Sequence, residues 1–101
     1  MSSFQVYILF SKSLNQFYKG QTSDIANRLK RHNNGFEKST KNGIPWELFW
    51  KCDKQTRSEA IDLERKIKNL SIRRTIEFML KYKEGIPSSD ELLSVQKLSE
   101  H

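Results

Sequence analysis

The sequence contains a single cysteine, Cys52. With no second thiol it can form neither an intramolecular disulfide nor a thiolate metal centre. A reducing cytoplasm is therefore the expected setting, with Cys52 as a buried or half-buried structural thiol. No stretch approaches the ~20 apolar residues of a membrane span. The start, Met1-Ser2-Ser3-Phe4-Gln5, lacks the basic residues and apolar run of a signal peptide. A soluble chain with no membrane partner and no export by that route is expected. Internal repeats and low-complexity tracts are also missing. A chain of 101 residues has room for one domain with a modest core. That excludes a large two-domain enzyme and makes any active site shallow and surface-borne.

The charge that is present is uneven. Lys and Arg number 18 against 12 Asp and Glu, a net +6. Residues 1–83 hold 17 bases and 8 acids, a net +9, whereas residues 84–101 hold Lys97 against Glu84, Asp90, Glu91 and Glu100. Any one Lys is most simply the solvated face of a helix. The regional excess points instead to a polyanionic partner. It also divides the chain into a basic domain, 1–83, and an acidic C-terminal tail, 84–101, for which a short helix and disorder both stay open.

Local patterning supplies the elements. Phe4–Phe10 is aromatic and β-branched and too short for a helix, Ser11–Gln16 is a polar turn, and Phe17–Gln21 returns, so the spacing predicts a β-hairpin. Gly20 at a strand end marks a bulge or a close approach of backbone to another group. Alternation places Tyr18 and Gly20 on one face and Lys19 on the other. Thr22-Ser23-Asp24 can cap a helix over Ile25–Asn33 that stops at Asn34-Gly35. Its buried stripe is expected to be Ile25, Ala26 and Leu29, with Arg28 and His32 together on one partly shielded flank. Residues 35–45 form a loop with Lys38, Thr40 and Lys41 as its donors, which either grips a backbone phosphate or sits in water. Trp46–Cys52 is a third strand, whose two tryptophans suit core packing better than base stacking.

Thr56-Arg57-Ser58-Glu59 fits a capping box and opens a second long helix with Ala60, Leu63, Ile67 and Leu70 inward. Glu64 falls inside that apolar stripe. A carboxylate there must be paired, protonated or bound to a cation, because desolvating it alone is costly. A salt bridge to a neighbouring Arg or Lys and a metal ion remain equal alternatives. A third helix over Ile72–Tyr82 presents Ile72, Ile76, Met79 and Leu80 to the sheet. The fold class is α/β (α+β): a small, mainly antiparallel three-stranded sheet flanked by helices.

In this order the segments resemble the GIY-YIG nuclease superfamily, in particular its small single-domain bacterial members, over Phe4–Tyr82. Val6-Tyr7-Ile8-Leu9 stands where the family has its GIY strand and Tyr18-Lys19-Gly20 where it has YIG. Arg28 through His32 is similar to the helix with the catalytic Arg and nearby His. Thr40–Leu48 is similar to the stretch leading into the third strand, and the helix bearing Glu64 to the one whose glutamate holds the metal. Three positions depart: Val6 precedes Tyr7 where the first motif ends Gly-Ile-Tyr, Lys19 replaces an aliphatic residue, and a late Asn position falls at Ile76, with Arg73 and Arg74 nearby.

The resemblance implies a divalent-metal-dependent DNA endonuclease acting in DNA repair or processing. Tyr7, Tyr18, Arg28, His32 and Glu64 would be its catalytic residues, with Glu64 holding one Mg2+ or Mn2+. Phosphodiester hydrolysis needs an activated water and charge stabilisation at the phosphoryl oxygens. Arg28 would grip the phosphate with its fork of donors. Tyr7 is the candidate base, helped by His32 because a free phenol has a pKa of about 10. Tyr18 would orient water or phosphate, and the reverse assignment of the two tyrosines stays open. Lys19, Arg31, Lys38, Lys41, Arg73 and Arg74 are candidate nucleic-acid contacts. RNA stays open beside DNA, as do a monomer and a weak homodimer. The alternatives are a non-catalytic nucleic-acid-binding module on the same fold and an interaction domain for an acidic protein. A steep salt dependence of binding would argue against the latter.

Overall fold

The computed structural model describes residues 3–100. Its elements run β1 (Phe4–Ser11), β2 (Gln16–Thr22), α1 (Ile25–Asn33), a 3-10 segment (Lys38–Gly43), β3 (Trp46–Lys54), α2 (Arg57–Lys68), α3 (Ile72–Lys81), a second 3-10 segment (Lys83–Gly85) and α4 (Ser89–Ser99). The strand order is β2-β1-β3, all antiparallel, which gives the expected α+β architecture. The central strand β1 carries an unbroken apolar run, Val6 to Phe10, and all of it is buried. Such a run suits a strand covered on both faces.

The two faces bury different sets of side chains. Val6, Ile8 and Phe10 pack with Phe49 and Trp50 beneath Ala60 and Ile67 of α2, Ile76 and Met79 of α3, and Val95 of α4. Tyr7, Leu9 and Trp46 pack on the opposite face with Tyr18, Ile25, Leu29, Ile44 and Leu48. A bulge makes this division possible. Ile8 pairs with Trp50 and Leu9 with Leu48, so Phe49 is an extra residue in β3. Beyond it the alternation reverses, which sends both Phe49 and Trp50 to the helix-covered side and leaves Trp46, Leu48 and Lys51 on the Tyr7 side. Both tryptophans are core residues, with their indole N–H groups donating to Thr40 O at 2.7 Å and Tyr82 O at 2.8 Å.

Two inward assignments change. Ala26 is exposed, because the α1 row facing the sheet is Ile25, Leu29 and His32, spaced four and then three apart. Ile72 is 52% exposed, since it is the first residue of α3 and stands at the rim of a cleft with Asn15 and Leu98. Thr75 takes the buried place instead, its hydroxyl donating to Ser71 O. The acidic segment is not a loose appendage over its described length, since α4 packs on α3 and β3 through a fully buried Val95. Cys52 is half-buried against the main core. Among the described residues no helix is long and apolar enough to cross a membrane.

Candidate active site

Local chemistry brings α1 onto the Tyr7 face. Asp24 caps it by accepting from Asn27 N, and Thr22 Oγ1 in turn accepts from Asp24 N. Gln5 of β1 accepts from Ile25 N at 3.1 Å, fastening the helix start to the central strand. At the other end Gly35, with φ +78°, follows the Asn34 cap, while Gly35 N donates to His32 O and Phe36 N to Arg31 O. This is a Schellman arrangement, which needs the left-handed conformation glycine adopts freely. It turns the chain into the 3-10 segment. Asn33 then clamps β3, its amide donating to Trp46 O and accepting from Trp46 N.

Tyr7, Tyr18 and His32 meet above the sheet. The Tyr7 hydroxyl lies 3.2 Å from His32 Nε2, and the Tyr18 ring stands edge-on to His32 with centroids 4.9 Å apart. Tyr7 and His32 are each 1% exposed, and Tyr18 is half-buried. Tyr7 faces Gly20 across the strands, and a Cβ on Gly20 would lie 2.6 Å from the Tyr7 hydroxyl. Gly20 therefore marks a close approach: its missing side chain is where the Tyr7 hydroxyl sits.

Burial pushes Tyr7 well above the ordinary phenol value; Tyr18 and Glu64 act in the same direction and Arg28 against them. The Tyr7 hydroxyl faces His32, which stays below the ordinary imidazole value and so is neutral near pH 7. Burial is the main cause there, aided by Arg28 and Arg31 and opposed by Glu37.

Arg28 is partly shielded on the same helix, and its guanidinium makes no hydrogen bond or ion pair among the described residues. It is free to take a phosphate. Glu64, with its side chain 17% exposed, pairs through Oε2 with Lys68 Nζ at 3.2 Å. That is the salt bridge the sequence left open, but its Lys is 55% exposed and exchangeable with solvent. Among the described residues no cluster of three or more His, Cys, Asp or Glu could hold a metal. One hard carboxylate fits an Mg2+-like ion that keeps most of its shell as water and phosphate oxygen. Clefts lie around α3, α4 and the second 3-10 segment, the last of these lined also by Lys51 and Asp53 of β3.

A family model described as the GIY-YIG catalytic domain matches residues 3–77. The chain belongs to the GIY-YIG family. A UPF0213 protein of Bacillus halodurans, solved by solution NMR, is 34% identical over 86% of this chain and 89% of that one, with a TM-score of 0.51. No curated protein matches the sequence. In this GIY-YIG domain the first motif strand is β1 and the second β2, as the resemblance implied.

The other candidate residues separate into two groups. Arg31, Lys38 and Lys41 belong to α1 and the 3-10 segment after it, the side of the sheet that Tyr7 faces. Arg31 is held by Glu37 at 3.2 Å. Lys19 is turned to the other face, where its ammonium donates to Leu70 O at 3.3 Å and burial lowers its pKa. Arg73 and Arg74 lie on α3, also across the sheet from Tyr7, and Arg73 pairs with Glu77 at 3.7 Å. Ile76, at the late Asn position, is a core residue on that far side. Two further residues enter, Lys51 with no place assigned from the sequence and Thr40 expected as a loop donor. Lys51 pairs with Tyr7 across β1 and β3 and so shares its face, a consequence of the Phe49 bulge. Thr40 is 1% exposed and bonded to His32 Nδ1 at 2.8 Å.

Proposed function

We propose that this protein is a divalent-metal-dependent endonuclease that hydrolyses DNA phosphodiester bonds, with DNA repair or processing as its setting. The observation that carries this reading is the buried hydrogen bond between the Tyr7 hydroxyl and Nε2 of a neutral His32, beside an Arg28 whose guanidinium is unengaged. The attacking water gives a proton to the Tyr7 oxygen while Tyr7 passes its own to His32 Nε2, so no free phenolate forms. Arg28 holds the phosphoryl oxygens and offsets the charge that builds there. Tyr18, less buried than Tyr7 and with a hydroxyl free of hydrogen bonds among the described residues, orients water or phosphate. A divalent ion on Glu64, Mg2+ or Mn2+, would supply charge neutralisation to the phosphate and the leaving oxygen.

Tyr7→Phe removes the proton acceptor and leaves the buried His32 Nε2 without its partner. It is expected to slow single-turnover cleavage by about 10²- to 10⁴-fold while DNA affinity stays unchanged. A variant that cuts at the wild-type rate would remove Tyr7 from the chemistry. The second reading, a binding module without catalysis, draws on Ile76 standing at the late Asn position inside the core. It expects salt-sensitive DNA binding with no product from any form.

The DNA path is assigned to the α1 side. Lys38→Ala or Lys41→Ala should weaken binding alike on all sequences and reduce the salt slope by about one. Arg74→Ala should change neither. Titrations at several salt concentrations make the comparison, and an equal loss from Arg74→Ala would move the path to α3.

A further inference from the structure

Thr40 is a buried polar residue on the Tyr7 side of the sheet, in direct contact with His32, that no catalytic role above has used. Its hydroxyl donates to Glu37 O at 3.3 Å and lies 2.8 Å from His32 Nδ1, while His32 Nε2 faces the Tyr7 hydroxyl at 3.2 Å. A hydroxyl has one proton. With that proton directed to the Glu37 carbonyl, Thr40 can only accept from His32, so Nδ1 carries the imidazole proton and Nε2 keeps its lone pair for Tyr7. The same arrangement serves the charged ring. When Nε2 gains a proton, the Nδ1–H already has its acceptor and nothing must reorient.

Thr40 is itself fixed from two sides. Its carbonyl accepts from Trp46 Nε1 at 2.7 Å, and Trp46 is pinned through its backbone by Asn33 of α1. The groups facing His32 are Arg28 and Arg31 from α1, Glu37 and Thr40 from the segment after it, Tyr7 and Tyr18 from the hairpin, and Trp46 from β3 only through Tyr18 and Thr40. Of these, Glu37 alone is an anion, and it sits where its backbone carbonyl receives the Thr40 proton.

We infer that Thr40 is a positioning residue, whose hydroxyl sets the His32 tautomer and so aims Nε2 at the Tyr7 proton. This rests on the nuclease reading for its consequence, but the tautomer itself does not. The test uses the full-length protein with ¹⁵N-labelled histidine, in wild type, Thr40→Ser and Thr40→Val, with His32→Gln to separate the signals of His32 and His101. Wild type and Thr40→Ser should show a protonated Nδ1 and a bare Nε2. Thr40→Val, of the same shape without the hydroxyl, should lose that preference.

In cleavage, Thr40→Val should fall by on the order of 10²-fold at unchanged DNA affinity, and Thr40→Ser should retain most of the rate. The acid limb of the rate should also move to lower pH in Thr40→Val, because an imidazolium whose Nδ1–H has no acceptor is harder to form. A wild-type His32 protonated on Nε2, or a Thr40→Val protein with wild-type tautomer and pH profile, would overturn the inference. If no form cleaves DNA, the nuclease reading fails and the ring nitrogens alone decide the tautomer. If Thr40→Val does not fold, wild type and Thr40→Ser still decide it.

Discussion

Glu64→Ala is expected to reduce DNA cleavage by at least about 10³-fold, since a metal's charge stabilisation is worth several kcal/mol and each tenfold in rate is about 1.4 kcal/mol. The fold should survive. Glu64 answers only Lys68, four residues on and 55% exposed, and such helix pairs contribute on the order of 0.3–0.5 kcal/mol. The rest of α2 is held by Ala60 and Ile67 in the core and by the Thr56–Glu59 capping box. Thermal unfolding and DNA binding measured beside cleavage distinguish the roles. Loss of cutting with near-native stability assigns Glu64 to the metal, whereas a destabilised protein with proportionate activity would make the carboxylate structural. Removing the ion with EDTA should reproduce the variant's defect in the wild-type protein.

Gly20→Ala is expected to damage both stability and activity through a single atom. The added Cβ would lie 2.6 Å from the Tyr7 hydroxyl and 2.8 Å from the ring carbon bearing it. Tyr7 is 1% exposed, packed among Leu9 and Trp46 and bonded to His32, so its ring has no open space to enter. Overpacking of this kind costs about 1–3 kcal/mol. A displaced hydroxyl loses its alignment with Nε2, and misplacement by about 1 Å can cost on the order of 10² in rate. Denaturant unfolding and single-turnover cleavage measure the two effects. Wild-type cleavage by Gly20→Ala would mean that the position of the Tyr7 hydroxyl is not critical to the chemistry.

What was legible in the sequence was local chemistry. The hairpin, the Asp24 cap, the Asn34-Gly35 stop and the Thr56–Glu59 capping box are each written within a few residues, and each formed where the residues called for it. Helical spacing puts Arg28 and His32 on one partly shielded flank, whereas the sheet takes His32 into the inward row with Ile25 and Leu29 and leaves Arg28 half-buried. Features that depend on distant strands were not legible. One extra residue, Phe49, reverses the alternation of β3, so counting along the strand puts Lys51 opposite to where the sheet places it. Thr40 looked like a loop donor, since nothing near it in sequence says that His32 will arrive at 2.8 Å. Lys19 was named for DNA on its charge, yet its own strand parity turns it toward Leu70. Nothing local marks Val95 inside an acidic segment, yet its buried side chain, with Leu98 against the same core, docks α4.

The decisive measurement is cleavage of labelled duplex, branched and single-stranded DNAs by the wild-type protein with Mg2+, Mn2+ or EDTA. Products that form with a divalent ion and vanish in EDTA are expected, and their distribution would identify the preferred substrate. Tight, salt-sensitive binding of the same DNAs with no product under any metal would contradict the nuclease and leave a binding module on this fold.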